Sequence, residues 1–125
     1  MQIVANILIA IVALEHVGIL VLEMFFWDHP LGYRIFGTTP EVAASSTVLA
    51  MNQGLYNGFM AVGLIWGIIS DRRHVKIFFL ACVVLAGIFA GVTAKPSIVI
   101  SQAFPAFVAL VAVILSTRQI QRSRR

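Results

Sequence analysis

The stretch VALEHVGILVLEMFFWDH, residues 12–29, is mostly apolar but contains two glutamates and two histidines. It continues an apolar run that begins at Ile3 and ends near Phe26. A helix of that length, at about 1.5 Å per residue, crosses a hydrocarbon core about 30 Å thick. An ionisable side chain at the bilayer centre costs roughly 2.5–3.5 kcal/mol on insertion scales. The stretch therefore predicts a membrane-spanning helix in which Glu15, His16 and Glu23 face protein rather than lipid.

The composition of the whole chain agrees with a membrane protein. Of its 125 residues, 60% are hydrophobic and 11% are charged, whereas soluble domains have about 45–50% and about 25%. The net charge is +4, but the basic residues form two short clusters beside apolar segments, which favours contact with lipid headgroups over nucleic-acid binding. The partner expected first is therefore the lipid bilayer, with no nucleic acid.

Four hydrophobic segments predict an all-α, integral membrane four-helix bundle that forms one domain over residues 1–125. The spans are expected at about residues 3–26, 46–70, 76–92 and 96–116. Thr39, Pro40 and Glu41 supply a helix cap, a proline for the first helical position and an acid for the first turn, so the second helix is expected to start before its membrane segment. The stretch DHPLGYRIFGTTP, residues 28–40, is expected to form a structured loop.

The positions of the basic residues predict the orientation in the membrane. With four crossings, seven of the nine Lys and Arg residues fall on the side that carries both termini, and two fall on the other side. The seven are Arg72, Arg73, Lys76, Arg118, Arg122, Arg124 and Arg125, and the two are Arg34 and Lys95. Both termini are therefore expected in the cytoplasm, with the protein in the cell (inner) membrane.

The orientation places polar residues of three spans at similar depths, between the middle and the outer face of the membrane. At 100° per residue, Glu15, His16 and Glu23 share one face of the first helix. The second and fourth helices contribute amides, a phenol and a proline that leaves a backbone acceptor unpaired. The predicted ligand-binding set is Glu15, His16, Glu23, Asn52, Gln53, Tyr56, Asn57 and Gln102. Glycines spaced four apart, including Gly54/Gly58 and Gly87/Gly91, predict close helix packing.

The residues alone leave three functions open and favour the first of them. The first is binding or transport of a small lipophilic or cationic molecule in an outward-facing polar pocket, with or without proton coupling. The second is an intramembrane acid–base enzyme, an isomerase or hydrolase on a lipid-like substrate, with Glu15, His16 and Glu23 as candidate catalytic residues. The third is a structural or accessory subunit whose polar network binds helices together, and a homo-oligomer is compatible with each.

Metal binding is the weakest interpretation of the polar residues. The membrane segments hold one histidine and no Cys/His cluster, and the HExxH spacing is missing. The sequence therefore predicts no metal site, and it names no cofactor.

Several motifs resemble those of a bacterial integral-membrane family known as domain of unknown function 1304. They are ALEH at residues 13–16, LEMFFW at 22–27, NQGLYNGFMAVGLIWG at 52–67 and SQAFPAFVAL at 101–110. The resemblance covers nearly the whole chain and implies a four-helix membrane protein. It implies no substrate and assigns no catalytic residue.

Overall fold

A computed structural model describes residues 1–123, with side chains described through Ser116. Within these residues the chain is helical and has no β-strand. A π-helical segment at Val99–Ala103 leads directly into the last helix. The helices are α1 (Gln2–Phe25), α2 (Pro30–Phe36), α3 (Pro40–Ile69), α4 (Arg73–Thr93) and α5 (Phe104–Ser123). Of the basic tail used for the orientation, Arg124 and Arg125 and the side chains of Arg118 and Arg122 lie outside the described part.

Three segments of the described chain are long and apolar enough to cross a membrane: Gln2–Phe25, Arg73–Thr93 and Val99–Ser116. At most a third of each is buried within the protein, so most of its apolar surface requires another apolar environment. Helix α3 has 30 residues but is not among the three, because the polar run around Asn52, Gln53 and Asn57 lowers its mean hydropathy. The protein is thus all-helical with three candidate spans.

The region between α1 and α3 contains the helix α2 in place of the predicted loop. His29 caps its start by accepting a hydrogen bond from the backbone N–H of Leu31 at 3.2 Å, and Pro30 occupies the first helical position. Gly37 ends the helix with φ 68°, a left-handed conformation that glycine adopts without steric cost. Both signals are present in the sequence, and the expectation of a loop was wrong for these seven residues.

Helix α3 begins where the sequence predicted. Its first residue is Pro40, and the backbone N–H of Val42 donates a hydrogen bond to the Thr39 hydroxyl at 3.3 Å. The capping interaction satisfies one of the N–H groups that a helix start leaves without an intrahelical partner. The predicted helix start at Thr39–Pro40 is therefore confirmed.

The chain divides into two compact units, which we call the 14–61 unit (Leu14–Ala61) and the flanking unit (Met1–Ala13 with Val62–Arg125). In the flanking unit, α4 packs against the π-helical segment through glycines. A Cβ atom added to Gly87 would lie 2.8 Å from the backbone nitrogen of Ala103, and one added to Gly91 would meet the Val99 side chain. The small residues therefore set how closely these backbones approach.

Pro105 explains the π-helical segment that precedes α5 in the chain. Its nitrogen has no hydrogen to donate, so a regular helix would lose one bond at this point. The helical turn instead takes in one extra residue, and the backbone N–H of Phe104 donates a hydrogen bond to the carbonyl of Val99, five residues earlier. Widened turns of this kind absorb a local break in the helical bonding pattern.

Lys76 is buried in the flanking unit, with 1% of its surface exposed. Its ammonium group donates hydrogen bonds to Asn6 Oδ1 at 2.9 Å and to Asp71 Oδ1 at 2.7 Å, and the Gln2 amide donates to the same Asp71 oxygen at 2.9 Å. The sequence had grouped Lys76 with Arg72 and Arg73 in a basic cluster that favours contact with lipid headgroups. The structure corrects this interpretation, because the charge of Lys76 is used inside the protein.

The ion pair between Asp71 and Lys76 predicts a loss of stability in acid. The hydrogen bond and charge of Lys76 hold the pKa of Asp71 below its ordinary value of 3.8. A carboxyl whose pKa is lowered by folding stabilises the folded state above the unfolded pKa, and this contribution disappears as the pH falls through the folded pKa. We expect the stability difference between wild type and Asp71→Asn to be constant above about pH 5 and to shrink below it.

Unfolding titrations of both proteins in detergent micelles across this pH range would measure the difference. Parallel stability curves down to pH 3 would contradict the assigned role of the pair.

Candidate functional site

The centre of the candidate site is a contact between α1 and α3 in the 14–61 unit. Asn57 Nδ2 donates a hydrogen bond to Glu23 Oε2 at 2.9 Å, and the same nitrogen lies 3.0 Å from the backbone carbonyl of Gln53. Both side chains are half-buried. The bond therefore joins two residues of the predicted ligand-binding set that lie 34 positions apart in the chain.

Glycines on α3 allow this close approach. A Cβ atom added to Gly54 would lie 3.2 Å from both the Glu23 Cβ and the Leu20 carbonyl oxygen, and one added to Gly58 would lie 2.6 Å from Leu20 Cδ1. A side chain at Gly54 would also come within 2.7 Å of Met24 Cγ, so its α1 neighbours would have to shift beside the Glu23–Asn57 bond. The predicted packing role of the Gly54/Gly58 pair is confirmed.

Three predicted site residues on α3 do not face α1. Asn52, Gln53 and Tyr56 are exposed, and the Asn52 amide donates back to the Val48 carbonyl of its own helix at 3.1 Å. At about 100° per residue, Asn57 lies about 60–100° around α3 from Gly54 and Gly58. Asn52, Gln53 and Tyr56 lie farther around the helix from the centre of this glycine pair. The helix packs through its small face, and only the edge of its polar face reaches α1.

Glu15 and His16 lie on α1 about two turns before Glu23. His16 is buried, with 3% of its surface exposed. Glu15 is half-exposed and forms neither a hydrogen bond nor an ion pair with any described side chain. Among the described side chains, Glu15 therefore has no compensating cation.

Gln102 belongs to the flanking unit, where it lies in the π-helical segment and is half-buried. Its neighbour Ser101 is exposed. The predicted association of Gln102 with the polar residues of α1 and α3 stays a prediction.

A second polar contact of the 14–61 unit was missed by the sequence. Trp27 Nε1 donates a hydrogen bond to the Ser46 hydroxyl at 3.0 Å, and the Trp27 ring packs on Phe36 with centroids 4.7 Å apart. Nearby, the Tyr33 hydroxyl donates to Asp28 at 2.6 Å, which raises the pKa of Tyr33. No periodicity in the sequence links residues so far apart, so this contact could not be predicted from the sequence.

The site contains one type of chemistry that can be assigned from its atoms. A carboxylate provides about four acceptor positions, and the Asn57 amide fills one at Glu23, leaving room for further donors. Among the described residues, no three His, Cys, Asp or Glu side chains come together as a metal site would require. The arrangement suits a ligand that brings a positive charge or hydrogen-bond donors.

Comparisons with known proteins give the chain relatives without an assigned activity. The model of a family described as "Protein of unknown function (DUF1304)" matches residues 10–114. The chain is 32% identical over 115 residues to a protein of Lactococcus lactis subsp. lactis described as "Uncharacterized protein YpaA", covering 89% of this chain and 97% of that protein. None of the solved structures compared with the chain matches it.

Proposed function

We propose that this chain, which belongs to the family described as protein of unknown function DUF1304, binds or transports a small molecule within the membrane. Its resemblance to that family, first seen in the sequence motifs, is confirmed by the match over residues 10–114. In this proposal the Glu23 carboxylate, oriented by Asn57, binds a cationic group of the ligand. Glu15 and His16, on the same helix and in the same unit, complete the polar surroundings.

The observation that carries the proposal is a carboxylate in an apolar helix that has no cationic partner among the described side chains. Glu23 lies near the end of the candidate span Gln2–Phe25, and its one hydrogen bond to a described side chain comes from the neutral Asn57 amide. A half-buried carboxylate without a counter-charge is costly in an apolar environment. A lipophilic cation would supply that charge while leaving its apolar part in the surrounding hydrophobic surface.

The orientation is part of the same proposal. We infer four crossings of the cell (inner) membrane, with α3 as the fourth crossing segment beside the three apolar ones, and with both termini in the cytoplasm. Arg72 and Arg73 are exposed at the α3–α4 turn, where cations favour the cytoplasmic side. With the N-terminus in the cytoplasm, the C-terminal end of α1 faces outward, and Glu23 lies close to that end. The site therefore opens toward the outer side.

Binding of a matched pair of fluorescent probes tests the proposed ligand chemistry. Naphthylethylammonium is a lipophilic cation, and naphthylethanol is a neutral molecule of similar shape. We expect the purified protein in lipid nanodiscs to bind the cation more tightly, and Glu23→Gln to weaken that binding about 10- to 100-fold, as for hydrogen bonds to charged groups. Binding of the alcohol should change little.

Glu41→Gln is the matched control for removal of one acid. Hydrogen bonds from its own backbone N–H and from the Thr39 hydroxyl lower the pKa of the exposed Glu41, so this substitution also removes a true negative charge. The control should retain cation binding. Equal cation affinities of wild type and Glu23→Gln would contradict the proposal, as would a wild-type preference for the alcohol.

A further inference from the structure

An exposed stripe follows α3 on the side that does not pack against α1. Its members are separated alternately by three and four residues, a spacing that places them on one helical face and matches a helix–helix contact seam. We call it the α3 stripe: Val42, Ser45, Leu49, Asn52, Tyr56 and Phe59, all exposed. All six residues belong to the 14–61 unit.

Two polar atoms of the α3 stripe have no hydrogen-bond partner among the described residues. Asn52 Nδ2 bonds to Val48 of its own helix, while Asn52 Oδ1 and the Tyr56 hydroxyl form no hydrogen bond with the described residues. Tyr56 is 57% exposed. In hydrocarbon an unsatisfied polar group is unfavourable by several kcal/mol, so a membrane-embedded α3 requires something polar to cover this face.

We propose that the α3 stripe is the contact surface for a second copy of this chain. The stripe carries no charged residue, so two copies would not repel each other. An amide and a hydroxyl each donate and accept hydrogen bonds, which makes this face complementary to itself across a two-fold axis. A single asparagine in a helix–helix seam without charged residues is also the arrangement that fixes register and favours two helices.

The geometry of such a dimer follows from the proposed orientation. When every copy inserts in the same direction, the two-fold axis lies along the membrane normal and the two α3 helices run parallel. Identical residues then meet at the same depth, and Asn52 of one copy faces Asn52 of the other. The Glu23–Asn57 bond lies on a different side of α3, so ligand binding and dimer formation can fail independently.

Cysteine cross-linking in native membranes tests the proposed contact. Cys82, the one native cysteine, is replaced by serine, and single cysteines are introduced as Leu49→Cys, Asn52→Cys and Tyr56→Cys. The control is Met51→Cys, which is also exposed and adjacent to Asn52 in depth, but is rotated by about 100° around the helix. We expect disulfide-linked dimers at the three stripe positions, at least about fivefold faster than at Met51.

A second measurement follows the association of subunits in bilayers and uses protein that keeps its native Cys82. Energy transfer between labelled copies should show Asn52→Leu weakening the dimer by about 5- to 30-fold, the range expected for interhelical polar contacts in model membrane peptides. Met51→Leu should leave association unchanged. A protein that stays monomeric, equal cross-linking at Met51 and Asn52, or cross-linking of the stripe to a different protein would each overturn the proposal.

Discussion

Replacing Lys76 with alanine is expected to lower the free energy of unfolding by about 2–5 kcal/mol, the range for truncation of long buried side chains. The side chain is almost fully buried, and its Cγ lies 3.0 Å from where a Cβ on Gly67 would be. Truncation removes this packing together with the hydrogen bonds to Asn6 and Asp71. The start of α1 would then lose its polar connection to the α3–α4 turn.

Lys76→Met separates the two contributions, because methionine keeps most of the apolar stem and loses the ammonium group. We expect this substitution to lower the free energy of unfolding by about 0.5–1.5 kcal/mol, as for a typical hydrogen bond. The small value reflects the 71% exposure of the Asp71 side chain, which allows water to replace the lost donor. Methionine should therefore be tolerated better than alanine.

Reversible unfolding in mixed micelles, followed by the fluorescence of Trp27 and Trp66, would measure both substitutions. Lys95→Ala removes an exposed lysine and should change stability by no more than about 0.5 kcal/mol. If Lys76→Ala were as mild as Lys95→Ala, Lys76 would not be a buried structural residue.

Gly87→Leu is expected to lower the free energy of unfolding by about 1–3 kcal/mol, the usual range for overpacking. The atoms that block a larger side chain are the backbone nitrogen of Ala103 and its Cβ, 2.8 Å and 3.0 Å from an added Cβ. Neither can move away by changing a side-chain rotamer. Relief requires α4 to separate from the π-helical segment.

Ala86→Leu is the matched control for Gly87→Leu, since Ala86 is the preceding residue and is exposed. It adds a leucine at almost the same depth, but toward the surroundings of the helix. We expect its stability to remain within about 0.5 kcal/mol of wild type in the same unfolding assay. Equal losses at Ala86 and Gly87 would show that α4 does not pack closely through its glycines.

Hydrophobicity and helix-start signals made much of the helical structure predictable. The run from Ile3 to Phe26 predicted a long apolar helix, and α1 covers Gln2–Phe25. The Thr39–Pro40 signal located the start of α3 because both a cap and a proline act within one helical turn. Such signals depend on neighbours along the chain, and this is why they can be read without a structure.

The packing direction of α3 could not be predicted from its polar face. Asn52, Gln53, Tyr56 and Asn57 occupy an arc that suggested an inward surface, but Gly54 and Gly58 provide the contact with α1. Lipid tails are as apolar as the helix surface, so close backbone approach at small residues governs such contacts more than polarity does. Of the four polar residues, Asn57 alone bonds to α1 through its side chain.

Lys76 shows a second limit of sequence interpretation. Its position beside Arg72 and Arg73 indicated a cation in contact with lipid headgroups, because charge patterning along the chain counts residues without regard to their direction. Burial of Lys76 depends on Asn6, 70 residues earlier, and on the space left by Gly67. Neither partner can be recognised from the basic cluster itself.

Native mass spectrometry of the protein released directly from its own membrane tests most directly whether Glu23 binds a ligand. We expect a bound small molecule with a cationic group in wild type and in Glu41→Gln, and its loss in folded Glu23→Gln. A wild-type protein that carries no small molecule, or a Glu23→Gln variant that retains the same molecule in equal amount, would contradict it.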